Sequence, residues 1–204
     1  MQGLYLVTPD WDDTAELLAR TEAALGAGVA LLQYRHKTAT PQLRREQAGA
    51  LLALCRRHGV PFIINDYVEL CRELGADGVH VGGTDISVAQ ARAAVGPDKI
   101  VGASCYGDLQ LAIDAERAGA SYVAFGGFYP SRVKRYAVTT PPSIIDDALA
   151  AVRVPCVVIG GMTPENAAPL MARGAHMVAA ISSVYGAPDT AAAARAFGKL
   201  AARQ

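Results

Sequence analysis

The chain has 204 residues, long enough for one domain with a large core, and nothing in its composition marks a second domain, so we expect a single domain spanning 1–204. Hydrophobic residues make up 51% of the sequence and charged residues 19%, a balance typical of a compact globular protein that argues against a disordered chain. Lys plus Arg and Asp plus Glu both number 19, so the sequence predicts neither a nucleic-acid partner nor a membrane partner.

The amino-terminal residues lack the basic end and the apolar run of a signal peptide, and no stretch approaches the length of a membrane span. We therefore predict a cytoplasmic protein. Its four cysteines, Cys55, Cys71, Cys105 and Cys156, are scattered without metal-ligand spacing. In a reducing compartment we expect them to be small, buried hydrophobic residues.

Eight short runs rich in Val, Ile, Leu and aromatic residues recur along the chain, and each predicts a buried strand. In chain order they are GLYLV, ALLQY, PFIIN, GVHV, IVGAS, YVAFG, PCVVIG and HMVAAIS. Between them lie amphipathic stretches such as DTAELLARTEAAL and SVAQARAAV, several of which begin with a capping Ser, Thr or Asp and predict helices. Glycines that suit the end of a helix follow these stretches: Gly28, Gly59, Gly75, Gly119 and Gly174.

The alternation of strand and helix predicts an α/β fold, a single (β/α)8 TIM barrel with a parallel eight-stranded core. Strands buried on both faces are continuous apolar runs, and eight units within about 200 to 250 residues suit a closed barrel. A doubly wound open sheet is the alternative. The stretch after the sixth strand, YPSRVKRYAVTTPPS, is long and poor in helix signals, and such a loop often covers a site.

Polar residues gather directly after the predicted strands, where barrel enzymes build their sites. The second strand ends in Gln33, Arg35 and Lys37, and the alternation of side chains along a strand sends all three to one side. The positive charges of Arg35 and Lys37 therefore converge on that side. The alternative is a solvated basic turn.

Two aspartates follow neighbouring strands. Asp66 comes after the third strand, next to Asn65, and Asp85 comes after the fourth, which contains His80. Mg²⁺ is usually held by one or two protein carboxylates together with waters and substrate phosphate oxygens, so this pair suits one magnesium ion. The alternative is that each aspartate caps the helix that follows it.

Phosphate-binding features follow the remaining strands. The fifth strand ends at Ser104, whose hydroxyl can donate to a phosphate oxygen, and the loop after the sixth carries Lys134. The seventh strand ends in a glycine pair that includes Gly161, and the eighth ends in Ile181 and Ser182. Loops after strands seven and eight of such barrels often bind phosphate through backbone N–H groups. A tight connection without a ligand explains the glycine pair equally well.

Taken in order, the motifs LYLVT, QYRHK, IIND, GADGVHVGGTD, GAS, YVAFGGFYPSRVK, VVIGGMTPENA and ISS stand at the ends of the eight strands. With these motifs the chain resembles the thiamine-phosphate synthase family over almost its whole length. The resemblance implies a transferase of thiamine biosynthesis that joins 4-amino-5-hydroxymethyl-2-methylpyrimidine diphosphate to 4-methyl-5-(2-phosphoethyl)thiazole, giving thiamine phosphate and diphosphate. These two small molecules are the implied partners, and formation of a homo-oligomer is left open.

The chemistry of that reaction assigns roles to the polar residues. Ionisation of the pyrimidylmethyl diphosphate leaves a cation stabilised by the aminopyrimidine, and preplaced positive charge must neutralise the departing diphosphate. Mg²⁺ on Asp66 and Asp85 would supply part of it. The expected catalytic residues are Arg35, Lys37, Ser104 and Lys134. The expected substrate-binding residues are Gln33, Arg35, Lys37, Asn65, His80, Ser104, Ser131, Lys134, Gly161, Ile181 and Ser182. His80 is equally well explained as a buried, hydrogen-bonded histidine of the barrel.

The sequence departs from the family pattern in two loops. After the sixth strand, Gly127, Ser131 and Val133 replace a proline and two threonines, and Val133 cannot donate a hydrogen bond. Before Asp85, a glutamine and a glutamate are replaced by Gly83 and Thr84. These departures bear on how the thiazole phosphate or the pyrimidine is held, whereas the two metal carboxylates remain.

Two other functions fit the same fold. A thiazole tautomerase needs no metal, and the retained aspartates and lysines argue against it. A catalytically silent phosphate-binding barrel has only Val133 in its favour. Magnesium dependence discriminates among the three, because only the synthase requires the metal for turnover.

Overall fold

Strands and helices alternate along the chain, which the computed structural model describes at residues 1–83, 86–130 and 139–201. The strands are β1 (Gly3–Val7), β2 (Leu31–Tyr34), β3 (Phe62–Asn65), β4 (Gly78–Val81), β5 (Ile100–Tyr106), β6 (Tyr122–Phe125), β7 (Cys156–Ile159) and β8 (Met177–Ala180). The helices are α1 (Thr14–Gly28), α2 (Pro41–His58), α3 (Val68–Leu74), α4 (Val88–Val95), α5 (Leu109–Arg117), α6 (Ile144–Ala151), α7 (Pro164–Ala172), α8 (Ser182–Tyr185) and α9 (Thr190–Ala201).

The eight strands form a closed parallel barrel. Each strand pairs with the next in sequence, and β8 pairs with β1 through the register Gly3 to Met177 and Leu6 to Ala180. The predicted TIM barrel is therefore confirmed, and the open doubly wound sheet is wrong. Closure directs the carboxyl ends of all eight strands to one end of the barrel, where the polar residues of the sequence motifs gather.

Strand residues alternate between two hydrophobic cores. Tyr5 and Val7 point into the barrel and pack with residues such as Val157, whereas Leu4 and Leu6 point outward into the layer between strands and helices. Both faces of each strand are thus covered, which explains why the strands are continuous apolar runs. The same alternation decides which polar side chains reach the interior.

The helices begin and end at the residue types that the sequence suggested. Thr163 and Asn166 form a reciprocal capping box at the start of α7, and Ser87 and Gln90 form another at the start of α4. Gly59, which ends α2, has φ +64°, a left-handed conformation that favours glycine. These local signals position the loops between helices and strands.

All four cysteines are buried, as predicted. Burial raises the pKa of Cys105 to about 12 and that of Cys156 to about 11, so these thiols stay protonated and unreactive near neutral pH. Within the described ranges, no helix is long and apolar enough to cross a membrane.

Candidate active site

A cavity of about 670 Å³ opens at the carboxyl ends of the strands. Ten residues expected from the sequence to form the site line it: Gln33, Arg35, Lys37, Asn65, Asp66, His80, Ser104, Gly161, Ile181 and Ser182. Three other expected residues, Asp85, Ser131 and Lys134, lie outside the described residues. The barrel thus brings together side chains from six of its strands and the loops that follow them.

The cations after β2 are held by the loop after β1. Both carboxylate oxygens of Asp10 lie 3.2 Å from Arg35 Nη1, and Asp10 Oδ1 also accepts a hydrogen bond of 2.8 Å from the backbone N–H of Lys37. Thr8 Oγ1 accepts from the backbone N–H of Arg35 at 2.8 Å and donates to its carbonyl at 2.9 Å. The side chain of Arg35 is only 11% exposed, which differs from a solvated basic turn.

Asp10 is a residue that the motif analysis missed, and its contacts predict a measurable effect. For the pyrimidine diphosphate that the family resemblance implies as a substrate, we expect Asp10→Asn to raise KM by about tenfold, because the amide weakens one charge-assisted contact that orients Arg35. Steady-state kinetics with the thiazole phosphate at saturation measure this. An unchanged KM would mean that Arg35 keeps its orientation without Asp10.

Asp66 takes a strained conformation that aims its carboxylate into the cavity. Its φ is +66°, and its backbone N–H donates to the carbonyl of His80 at 2.9 Å. Oδ2 accepts hydrogen bonds from Lys37 Nζ and, at 2.7 Å, from Asn65 Nδ2. The next helix, α3, has Tyr67 at its N-cap and no side-chain capping bond. The capping role considered for Asp66 is therefore wrong.

A chain of largely buried hydrogen bonds connects four residues that line the cavity through Tyr122, which does not line it. Gln33 Nε2 donates to Tyr5 Oη, which lies 2.7 Å from Tyr122 Oη. Tyr122 Oη lies 2.7 Å from His80 Nδ1, and His80 Nε2 lies 2.8 Å from Ser104 Oγ. His80 is a buried, hydrogen-bonded histidine of the barrel and also lines the cavity, and its contact with a substrate stays a prediction.

The glycine pair after β7 forms a close-packed turn at the cavity wall. Gly160 and Gly161 have φ +101° and +63°, and a Cβ at Gly161 would overlap the carbonyl oxygen of Pro130. The side chain of Asn166 donates to the Gly161 carbonyl at 2.9 Å. Within the described part of the chain, the backbone N–H groups of Gly161 and Ser182 have no acceptor, so both can bind an anion.

The floor of the cavity is apolar. It is lined by inward-facing residues that include Val7, Ala124, Val157, Ile159 and Ala179. Two of these are alanines, which leave room for a flat ring near the barrel axis.

Among the described residues, no group of three or more His, Cys, Asp or Glu side chains could together hold a metal ion. Mg²⁺ needs fewer protein ligands than that, because waters and substrate phosphate oxygens fill its other coordination positions. Described hydrogen bonds reach only Oδ2 of Asp66, which leaves Oδ1 available as a ligand. The donor chemistry thus fits one magnesium ion held mainly by substrate.

A family model described as thiamine monophosphate synthase matches residues 4–184. A thiamine-phosphate synthase of Janthinobacterium sp. (strain Marseille) is 67% identical over 203 residues, which cover 100% of this chain and 98% of that protein. This chain belongs to the thiamine monophosphate synthase family. The family resemblance and the transferase class expected from the sequence are therefore confirmed.

Other members of the family are similar over most of their length. A thiamine-phosphate synthase of Xylella fastidiosa (strain 9a5c) is 48% identical over 96% of this chain and 83% of that protein. Among solved structures, a thiamine phosphate pyrophosphorylase from Pyrococcus furiosus has a TM-score of 0.86 and 28% identity, covering 99% of this chain and 96% of that one. A 3-hexulose-6-phosphate synthase, at 21% identity and a TM-score of 0.70, shares the fold.

One departure from the family pattern has a physical explanation. A Cβ at Gly83 would lie 2.6 Å from Tyr106 Oη, so the tyrosine takes the space that a larger side chain would need. Tyr106 follows a β-bulge against β6 and has φ +54°, which re-aims its side chain along the cavity wall. Gly83 and the Tyr106 hydroxyl thus lie next to each other at the cavity wall.

Proposed function

We propose that this protein joins the pyrimidine diphosphate to the thiazole phosphate by the dissociative reaction outlined above. The observation that carries the proposal is one cavity with cations, a carboxylate and a hydroxyl near the carboxyl ends of β2 to β5 and a glycine-rich cup after β7 and β8. Two anion-binding regions flank an apolar floor. This arrangement suits two phosphorylated rings whose reacting atoms must meet.

Residues that follow β2, together with Ser104 in β5, bind the diphosphate. Arg35 and Lys37 bring positive charge, and Ser104 brings a hydroxyl proton, to the oxygen on which negative charge grows. As the C–O bond breaks, the diphosphate keeps the bonding electron pair, and the thiazole nitrogen then donates its lone pair to the methylene carbon. The protein needs no nucleophile of its own. Lys134, outside the described residues, has the same assigned role.

Asp66 is assigned to a magnesium ion, with Asp85 as its expected second carboxylate ligand. When bound, Mg²⁺ supplies further positive charge to the diphosphate oxygens. Lys37 forms an ion pair with Asp66, and we expect it to turn toward the diphosphate once substrate is bound. The lysine then neutralises phosphate rather than the carboxylate.

The two rings are assigned to the centre of the cavity. Gln33, Asn65 and His80 would hold the pyrimidine by hydrogen bonds, while the apolar floor excludes water from the reactive cation. Gly161, Ile181 and Ser182 would hold the thiazole phosphate through backbone and hydroxyl groups. Ser131 is assigned to the same phosphate and lies outside the described residues.

The first experiment is to measure thiamine phosphate formation from the two substrates, with Mg²⁺ and then with excess chelator. We expect rapid product formation that the chelator abolishes and that added Mg²⁺ restores. Metal-independent conversion of a thiazole carboxylate phosphate would instead indicate a tautomerase. A folded sample that binds phosphate without turnover would indicate a silent barrel. The cytoplasmic location and the homo-oligomer stay predictions.

A further inference from the structure

The hydrogen-bond chain from Gln33 to Ser104 has one direction that gives every buried hydroxyl proton an acceptor. Gln33 Nε2 can only donate, so Tyr5 Oη accepts from it, and Tyr122 Oη is the described acceptor for the Tyr5 proton. Tyr122 Oη, having accepted that bond, donates its own proton to Nδ1 of His80. The opposite direction would leave the buried Tyr5 proton without an acceptor in the chain, which is costly.

The direction decides which nitrogen of His80 is protonated. Because Nδ1 accepts from Tyr122, the ring proton of the neutral imidazole lies on Nε2, which donates to Ser104 Oγ at 2.8 Å. Ser104 therefore accepts from the histidine and keeps its own proton. Ser104 lines the cavity, where that proton can be donated to an anion.

Burial keeps the chain neutral. Tyr5 and Tyr122 are 1% and 0% exposed, and burial raises the pKa of both phenols well above the usual value. Neither phenol loses its proton near neutral pH, so the direction of donation is preserved. The two rings also pack edge to face, with their centroids 5.6 Å apart.

The barrel makes room for Tyr122 at one position. Gly102 is the register neighbour of His80 on one side and of Tyr122 on the other. A Cβ at Gly102 would overlap Cζ and Oη of Tyr122. The phenol therefore reaches His80 across β5 only because residue 102 has no side chain.

We propose that Tyr122 is a positioning residue that holds His80 as its Nε2-protonated tautomer, so that Ser104 donates its proton to a diphosphate oxygen. The nature of the anion rests on the proposed function. Without the Tyr122 hydroxyl, His80 can take the other tautomer and accept the Ser104 proton. The serine would then have no proton left for the anion, and its lone pairs would repel the anion instead of binding it.

The tautomer is tested directly by ¹⁵N NMR of the histidine side chains in the full-length protein, with His80→Asn to assign the signals. In the unmutated protein we expect a protonated Nε2 and an unprotonated Nδ1, and in Tyr122→Phe a mixture of tautomers. Tyr34→Phe is the matched control, because it removes another buried phenol, bonded to Gln47 outside the cavity. A protonated Nδ1 in the unmutated protein would overturn the proposal, whether or not Tyr122→Phe folds.

A double-mutant cycle tests whether Tyr122 acts through Ser104. We expect Tyr122→Phe to lower kcat by about tenfold with little change in KM, since the lost donation matters most as charge grows on the diphosphate. In the Ser104→Ala background the same change should have an effect of less than about twofold. Equal losses in both backgrounds would assign Tyr122 a merely structural role.

Binding of inorganic diphosphate with Mg²⁺ separates this proposal from the proposed function. Calorimetric titration should give a Kd about tenfold higher for Tyr122→Phe than for Tyr34→Phe, because free diphosphate carries the charge that the substrate develops only as its C–O bond breaks, and one hydrogen bond to that charge is lost. This result would stand even if no thiamine phosphate formed, in which case only the proposed function would fail. Equal affinities would contradict donation by Ser104.

Discussion

Asp66→Asn is expected to lower kcat/KM for thiamine phosphate formation by about a thousandfold, since it removes the charge that we assign to the metal. Asparagine is close in shape to aspartate and tolerates φ +66°, so the backbone should keep its conformation. The variant should also need far more Mg²⁺ for half-maximal activity. Initial rates across a magnesium titration measure both effects.

The matched control is Asp98→Asn, which neutralises an exposed aspartate in the turn before β5, at the opposite end of the barrel. It should leave the rate and the magnesium requirement within about twofold of those of the unmutated protein. Thermal unfolding of both variants checks that the fold is intact. If Asp66→Asn kept its activity and its magnesium requirement, the metal assignment would be wrong.

The barrel was predictable because its determinants are local. Each strand is a run buried on both faces, and helix ends carry capping residues or glycines, as at Thr163 and Gly59. The point at which a strand ends is less apparent from local sequence. The run HMVAAIS predicts a strand to its end, but β8 stops at Ala180, because Ile181 turns away at ψ −87° and α8 begins. Apolar composition alone does not mark that turn.

The polar side chains after the strands were also predictable, because parallel strands in a barrel end on the same side. Tyr5 and Tyr122 were not. Each lies inside an apolar run and resembles an ordinary core aromatic. Only the barrel register places Tyr122 beside Gly102 and His80, and only closure of the barrel brings Tyr5, 117 positions away in the sequence, to the Tyr122 hydroxyl. The signal available in the sequence was the polar hydroxyl of each tyrosine within an otherwise apolar strand.

Asp10 was missed for a different reason. It lies in the loop after β1, and nothing in its neighbourhood along the chain distinguishes it from a solvated turn residue. Its role follows from contacts with Arg35 and with the backbone of Lys37, residues of the next loop. Contacts between loops depend on the packing of adjacent βα units rather than on a motif.

The glycine cup yields the second large effect. Gly161→Ala is expected to raise the KM for the thiazole phosphate by about a hundredfold, because the added methyl group would overlap the carbonyl oxygen of Pro130 and displace the turn that carries the N–H group. The KM for the pyrimidine diphosphate should change little, since its binding groups follow other strands. Steady-state kinetics, with each substrate varied in turn while the other is held at saturation, measure the two KM values separately.

Gly59→Ala provides the control for backbone strain. Gly59 and Gly161 have nearly the same φ, +64° and +63°, but a Cβ at Gly59 meets no atom within 4 Å. Both variants should lose about 1 kcal/mol of unfolding free energy from the left-handed conformation, and only Gly161→Ala should lose more and bind the thiazole phosphate weakly. Both variants share the backbone strain, and only Gly161→Ala disturbs the turn at the cavity. Equal KM values for the thiazole phosphate in the two variants would therefore mean that this phosphate is held elsewhere.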